Sequence, residues 1–299
     1  MSIPFLKVQG AGNDFLLIDA LGENAHRNQI DWSAVAPRIC DRHFGVGADG
    51  ILIAQDTDVA AARMVIVNSD GSDGEMCGNG FRCFTKYLVE RAGMTPTDGS
   101  LAIETGAGVL HADLSAMTST DASVDRVRVD MGPAWLEADQ IPVVHEGPAP
   151  ILHHEVEVNG RVYDLTCVSM GNPHVVWFTD EEVDEFPLTE IGPLIETHPD
   201  FPRKTNFEIV NVLAPDHLKM RVWERGVGIT LACGSGACAV LVAARLRGLS
   251  DASATVSLPG GDLDIAWDGL DDPSASVYMT GPATFSFEGQ LDANLLSVR

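Results

Sequence analysis

GEMCGNGFRC, Gly74 to Cys83, sets a cysteine directly before Gly-Asn-Gly and then opens an apolar run. LACGSGACAV, Leu231 to Val240, repeats the arrangement. Each motif reads as the mouth of a helix. In FRCFTKYLVERAG the apolar positions Phe81, Phe84, Leu88 and Ala92 recur at helical spacing, with Gly93 as the stop. ACAVLVAARLRGL is apolar on nearly every side until Arg245, and Gly248 closes it. A helix apolar all round has to sit inside something. The remaining sequence supplies strands separated by Gly-rich turns, among them FLLIDA (15–20), ILIA (51–54), RMVIVN (63–68), EVEVNG (155–160) and HVVWF (174–178). The pattern predicts an α+β chain in which a strand-rich, barrel-like sheet wraps a central helix, twice.

The surroundings of the two cysteines share a frame. Asn68 stands nine residues before Cys77 and Glu224 nine before Cys233, each ending a strand pattern. Gly50 and Asn206 lie 27 residues before their respective cysteines. Further back, Gly12-Asn13-Asp14 and Gly171-Asn172-Pro173 each interrupt a strand pattern. Downstream, LAIETGAGVLHADL and ATVSLPGGDLDIAW both read as strand, Gly turn, strand, and the halves close on RVDMGPA and VYMTGPA. A period of about 150 residues is the size of a domain, not of a solenoid unit. The expected organisation is one half formed by residues 1–131 plus 282–299, a second by 132–281, and an active site in the cleft between them. SAMTSTDAS (115–123) reads as a hairpin tip, EGPAPI (146–151) as an interdomain loop, and the tail after Thr280 as a return to the first half.

Composition narrows the partners. The 299 residues carry 43 acidic and 19 Lys or Arg side chains, a net charge of −24, which argues against nucleic acid or an anionic membrane. MSIPFLKVQGAGND lacks the basic start and apolar core of a secretion signal. No apolar run approaches the ~18 residues of a bilayer span. The expectation is a soluble, cytoplasmic protein acting on a small molecule, with a homodimer left open. A core of this size does not need stapling, so the six cysteines are read as reduced.

Three chemistries compete for the paired motif. Buried cysteines commonly serve as small hydrophobes, the reading given to Cys40, Cys83, Cys167 and Cys238. Metal binding fits poorly: Cys77 and Cys83 fall about 240° apart around a helix and Cys233 and Cys238 about 140°, without the spacing of a zinc site. The third reading uses both motifs. A helix N-terminus offers free N–H groups and partial positive charge, which can lower a thiol pKa. Two such ends facing one carboxylate ligand would let one thiolate take a proton from the adjacent carbon while the other thiol returns one from the opposite side. The amides of Gly78, Asn79, Gly234 and Ser235 would hold the charge developing on the carboxylate. Spacing alone therefore predicts racemisation or epimerisation.

MCGNGFRC, ACGSGACA, KVQGAGNDF, VSMGNPH, ERGVGIT and LPGGDLDIAW together resemble the diaminopimelate epimerase family over essentially the whole chain. The resemblance implies a diaminopimelate epimerase-like fold and interconversion of LL- and meso-diaminopimelate, on the route to lysine and peptidoglycan, without pyridoxal phosphate or metal. It implies Cys77 and Cys233 as the acid–base pair, with His174 near the first thiol. Glu224 and Arg225 match the family's Glu-Arg pair, and Asn13, Asn68, Asn172 and Asn206 match its substrate contacts. Two positions depart: Gly50 stands where some relatives carry Gln, and Phe81 replaces a more usual Ala. A racemase of another amino acid, such as histidine, and a non-catalytic binding protein for amino-acid-like ligands remain open on the sequence.

Overall fold

The computed structural model describes residues 2–115, 123–272 and 274–296. Most of the expected hairpin tip at 115–123 lies outside them. The chain divides into two compact units, Met1–Val129 with Gly281–Arg299, and Asp130–Thr280.

In the first unit the strands are β1 (Ile3–Gly10), β2 (Asn13–Ala20), β3 (Gly50–Gln55), β4 (Ala62–Asn68), β5 (Asp73–Gly74), β6 (Ser100–Thr105), β7 (Gly108–Asp113) and the start of β8 (Arg126–Pro133). Helix α1 is Trp32–Ile39 and α2 is Gly78–Glu90. The second unit follows with β9 (His154–Val158), β10 (Arg161–Ser169), β11 (Pro173–Phe178), α3 (Leu188–Glu196), β12 (Asn206–Ala214), β13 (His217–Glu224), β14 (Gly228–Ile229), α4 (Gly234–Leu246), β15 (Ser253–Leu258), β16 (Gly261–Ala266) and β17 (Ser276–Pro282). A last strand, β18 (Thr284–Leu291), pairs antiparallel with β1, so the tail completes the first sheet.

The internal repeat is visible in the pairing. In the first unit β2 runs parallel to β3, β3 antiparallel to β4, and β4 parallel to β6. In the second, β11 and β12, β12 and β13, and β13 and β15 repeat those three relations in order. Even the outer strand is matched, since β9 pairs with β10 as β18 does with β1. Strands from well-separated places in each ladder touch the central helix: β1, β2, β3, β4 and β18 for α2, and β10 through β13 with β15 and β16 for α4. Each sheet thus curls around its helix, and the buried run Gly236 to Ala244 in α4 is what an all-round apolar helix requires.

Each unit also has a core on the other side of its sheet. Trp32, Val35, Ala36 and Ile39 of α1 pack with Ile18, Ile51 and Ile53 in the first. Leu188, Ile191 and Ile195 of α3 pack with Tyr163, Trp177 and Phe207 in the second. EGPAPI, expected between the halves, lies inside the second unit, where Ile151 joins that core. Among the described residues no helix is long and apolar enough to cross a membrane.

Candidate active site

Each motif cysteine is the N-cap of its central helix. Cys77 precedes α2 with φ −140° and ψ 114°, and its sulfur accepts the Gly80 N–H at 3.5 Å. Cys233 precedes α4 with φ −126° and ψ 107°, and accepts the Gly236 N–H at 3.3 Å. An extended cap residue whose side chain takes the N3 amide is the ordinary geometry of Ser, Thr, Asp or Asn at that place. Here sulfur fills it twice, which fixes where both thiols point.

The first unit gives Cys77 an amide partner. Its thiol donates to Asn13 Oδ1 at 3.4 Å, an oxygen that also accepts from Asn79 Nδ2 at 3.3 Å. The orientation of Asn13 is set from behind, because its Nδ2 donates to Asp49 Oδ2 at 2.7 Å. Asn79 is held in turn by the fully buried Arg82, which donates to Asn79 Oδ1 at 2.8 Å and to Pro282 O at 3.1 Å. Asn68 closes the turn after β4, with Nδ2 donating to Ser72 Oγ at 2.9 Å. Gly50 has no room for a side chain, since a Cβ there would stand 2.7 Å from Val67 O. The other departure, Phe81, is fully buried in α2.

The second unit surrounds Cys233 with acids. Glu224 ends β13, and its carboxylate accepts from Thr230 Oγ1. Ser235 Oγ lies 3.7 Å from Cys233 Sγ and accepts from Asn172 Nδ2 at 3.4 Å. Asn172 Oδ1 meets His174 Nε2 at 3.0 Å, and His174 Nδ1 meets Glu208 Oε1 at 2.7 Å. Asn206 is spent on main chain: Nδ2 donates to Pro173 O at 2.7 Å and Oδ1 accepts the Arg225 N–H at 2.9 Å. The Arg225 guanidinium, on an exposed residue, donates to Arg203 O at 3.2 Å.

Electrostatics at Cys233 run against the expectation that a helix end lowers the thiol pKa. Burial raises it well above 9.0, and the neighbouring carboxylates Glu224 and Glu208 push the same way. The Gly236 amide and Ser235 hydroxyl oppose them and lose. Burial also raises the Glu224 carboxyl above its ordinary 4.5, against the lowering hydrogen bond from Thr230. Cys233 is therefore held in the thiol form, beside a carboxyl group whose affinity for protons is increased. Among the described residues no group of three or more His, Cys, Asp or Glu side chains is arranged to hold a metal ion.

The sequence model of the family described as diaminopimelate epimerase matches residues 5–136 and 166–286. The chain belongs to the diaminopimelate epimerase family. It is 46% identical over 289 residues to diaminopimelate epimerase of Methanococcus maripaludis, covering 96% of this chain and 99% of the relative. It is 47% identical over 285 residues to the Moorella thermoacetica protein of the same name, covering 95% and 98%. Solved structures share the fold at low identity. A probable proline racemase from Agrobacterium radiobacter aligns with a TM-score of 0.65 at 16% identity, over 97% of this chain and 93% of that one. A hydroxyproline epimerase from Agrobacterium vitis gives 0.65 at 17%, over 99% and 94%. The chain is accordingly an isomerase of the epimerase class.

Within this diaminopimelate epimerase family member, sequence reading missed three groups that organise the site. Glu208 is an acid on a strand whose neighbours Phe207 and Ile209 are fully buried apolar residues. Arg82 is a charged residue fully buried in α2, between the apolar neighbours Phe81 and Cys83 in sequence. Both were detectable as charges at interior positions, which are costly unless paired. Asp49 carried no such signal, because an acid in the turn sequence GADG is ordinary.

Proposed function

We infer that the chain interconverts LL- and meso-2,6-diaminopimelate by proton transfer at the α-carbon between two cysteines, in the making of lysine and peptidoglycan precursors. The observation that carries the reading is the N-cap placement of both Cys77 and Cys233, each sulfur aimed by its own helix amide. One sulfur as thiolate removes the α-proton, the electron pair passes into the substrate carboxylate, and the other thiol delivers a proton to the opposite face. No cofactor is required for that balance. Glu224 is the proposed group to take and return the Cys233 proton: its charge bears on the thiol, and burial raises its own affinity for protons. His174 is the proposed polarising histidine of the site, and its hydrogen bonds run through Asn172 and Ser235 toward Cys233. The amides of Gly78, Asn79, Gly234 and Ser235 serve the reacting carboxylate, while Asn13, Asn68, Asn172, Asn206, Glu224 and Arg225 read the rest of the substrate. The proposed setting is cytoplasmic, with the halves divided at residues 131 and 281.

Incubating LL-diaminopimelate with the protein in deuterium oxide tests this. Meso product and one α-deuterium per turnover are expected. A double Cys77→Ser, Cys233→Ser variant that still exchanges the α-hydrogen would refute the two-cysteine route, and absence of turnover by the unaltered protein would refute the substrate.

A further inference from the structure

Glu208 takes no part in the proposed reaction, yet it is fully buried and placed among the reacting groups. Strand pairing puts it there. β11 and β12 run parallel with His174 opposite Asn206. Two residues on, Glu208 faces the same side of the sheet as a diagonal neighbour of His174, within reach of a long side chain. That face meets α4. A Cβ added to Gly236 would lie 2.9 Å from Glu208 Oε1 and 3.1 Å from Cys233 Sγ, so the carboxylate and the thiol press on the same helical turn from two sides.

From that carboxylate an unbroken polar chain reaches the sulfur. Glu208 Oε1 to His174 Nδ1 is 2.7 Å, His174 Nε2 to Asn172 Oδ1 is 3.0 Å, Asn172 Nδ2 to Ser235 Oγ is 3.4 Å, and Ser235 Oγ to Cys233 Sγ is 3.7 Å. Every link lies within the second unit. The imidazole, itself fully buried, has an oxygen against each nitrogen, so its rotation is fixed from both ends. Glu208 Oε2 is buried with no hydrogen-bond partner, which makes the carboxylate expensive to keep there for packing alone.

We propose that Glu208 is a positioning residue for the epimerase reaction: it locks the His174 ring by accepting its Nδ1–H and, through Asn172 and Ser235, sets the polar surroundings of Cys233. The inference rests on the assignment of His174 and Cys233 to the reaction. Glu208 moves no proton in the catalytic cycle. It holds the groups that do, as a carboxylate holds a ligating or catalytic imidazole elsewhere.

The test combines kinetics with proton NMR. Glu208→Gln keeps the shape and one acceptor but removes the charge. The expected result is kcat lower by roughly 10- to 100-fold, the scale of one charge-assisted hydrogen bond, with KM within about threefold. A His174→Gln, Glu208→Gln double variant should be no slower than His174→Gln alone, because the glutamate acts through the histidine. In the unaltered protein a downfield Nδ1–H resonance should disappear in His174→Gln and move upfield in Glu208→Gln. Glu208→Gln retaining kcat within twofold, or additive losses in the double variant, would overturn the proposal. The resonance needs no folded Glu208 variant: if the unaltered protein shows no downfield signal lost in His174→Gln, the lock is refuted. Failure of the unaltered protein to epimerise diaminopimelate would instead strike the functional reading, leaving the resonance to judge the Glu208–His174 contact.

Discussion

The third residue of each central helix is a glycine, and the two glycines differ in what a methyl group would meet. At Gly236 the added carbon would stand 2.9 Å from Glu208 Oε1, 3.1 Å from Cys233 Sγ and 3.3 Å from Cys233 Cβ. The carboxylate is held by His174 and the sulfur by its amide, so neither is a loose end. Overpacking of this kind costs about 1–3 kcal/mol, and alanine returns up to about 1 kcal/mol of helix propensity. Gly236→Ala should then destabilise by about 0–2 kcal/mol. The effect on rate should be larger, because the atom displaced is a sulfur of the proposed reacting pair and a misplacement near 1 Å can cost about 100-fold. At Gly80 the methyl would meet Leu52 Cδ2 at 3.2 Å and Cys77 Cβ at 3.6 Å. A leucine tip can yield, so Gly80→Ala should stay within about 1 kcal/mol in stability and, with its sulfur in place, lose no more than about fivefold in rate. Deuterium exchange into LL-diaminopimelate, with urea denaturation of the same samples, measures both quantities. Exchange at the unaltered rate in Gly236→Ala, or equal losses in the two variants, would refute the packing argument.

Alkaline pH should weaken the fold through its buried thiols. Burial pushes the Cys83 thiol from 9.0 up to about 12 and the Cys40 thiol to about 11. The folded state then holds protons that the unfolded chain releases, so this stability is complete below pH 9 and falls through that window by roughly 1.4 kcal/mol per pH unit for each thiol. Urea midpoints between pH 8 and 10.5 should show the slope, and Cys83→Ala should reduce it; a flat profile contradicts the assignment. Asn13→Asp would set a second carboxylate against Asp49, across a contact now 2.7 Å long, and should cut activity at least tenfold by about 1.4 kcal/mol of lost positioning. Restored activity in Asn13→Asp, Asp49→Asn would support that cause, and no loss in the single variant would exclude it. Asp14→Asn leaves the buried Lys7 ammonium with the Gly47 carbonyl but without its counter-ion, and should cost about 3 kcal/mol, read as a lower urea midpoint.

The two central helices were legible because their signals agree at several levels. Apolar spacing, a cap residue, and the stops Gly93 and Gly248, both with positive φ, point to the same boundaries. The shorter helices α1 and α3 escaped notice because a proline interrupts each pattern. Trp32, Val35, Ala36 and Ile39 have helical spacing and Asp31 caps them through the Ala34 N–H, but Pro37 interrupts the run. In α3 no side chain caps the start, and Pro193 sits in the middle. There tertiary packing decides: Gly192 lies so close to Trp223 that a Cβ would stand 2.5 Å from Cγ. The candidate site residues carried by motif can be named by reading along the chain. Glu208 cannot, because its meaning lies in a diagonal across parallel strands separated by 34 residues, which no local pattern encodes.

Competition between the helix end and burial decides what the Cys233 motif does. A helix N-terminus stabilises a negative charge by about 0.3–1 kcal/mol, up to ~2 in a favourable site. Burial of an ionisable group can shift its pKa by up to 3–5 units, or roughly 4–7 kcal/mol, toward the neutral form. Glu224 and Glu208 add to burial, so the thiol form wins at rest. The amide then serves chiefly to aim the sulfur, and in the proposed reaction ionisation waits for a proton acceptor, the role proposed for Glu224. Cys233→Ser separates these roles. A serine oxygen accepts the Gly236 N–H as well as sulfur does, being a preferred cap, so the variant should remain within about 1 kcal/mol of the parent in urea denaturation. An alcohol is a far weaker acid than a thiol, so α-hydrogen exchange should fall by at least about 1,000-fold, more than 4 kcal/mol on the barrier. A folded Cys233→Ser protein that still exchanges would remove sulfur from the mechanism. A variant that unfolds would mean that the sulfur is held for packing rather than for chemistry.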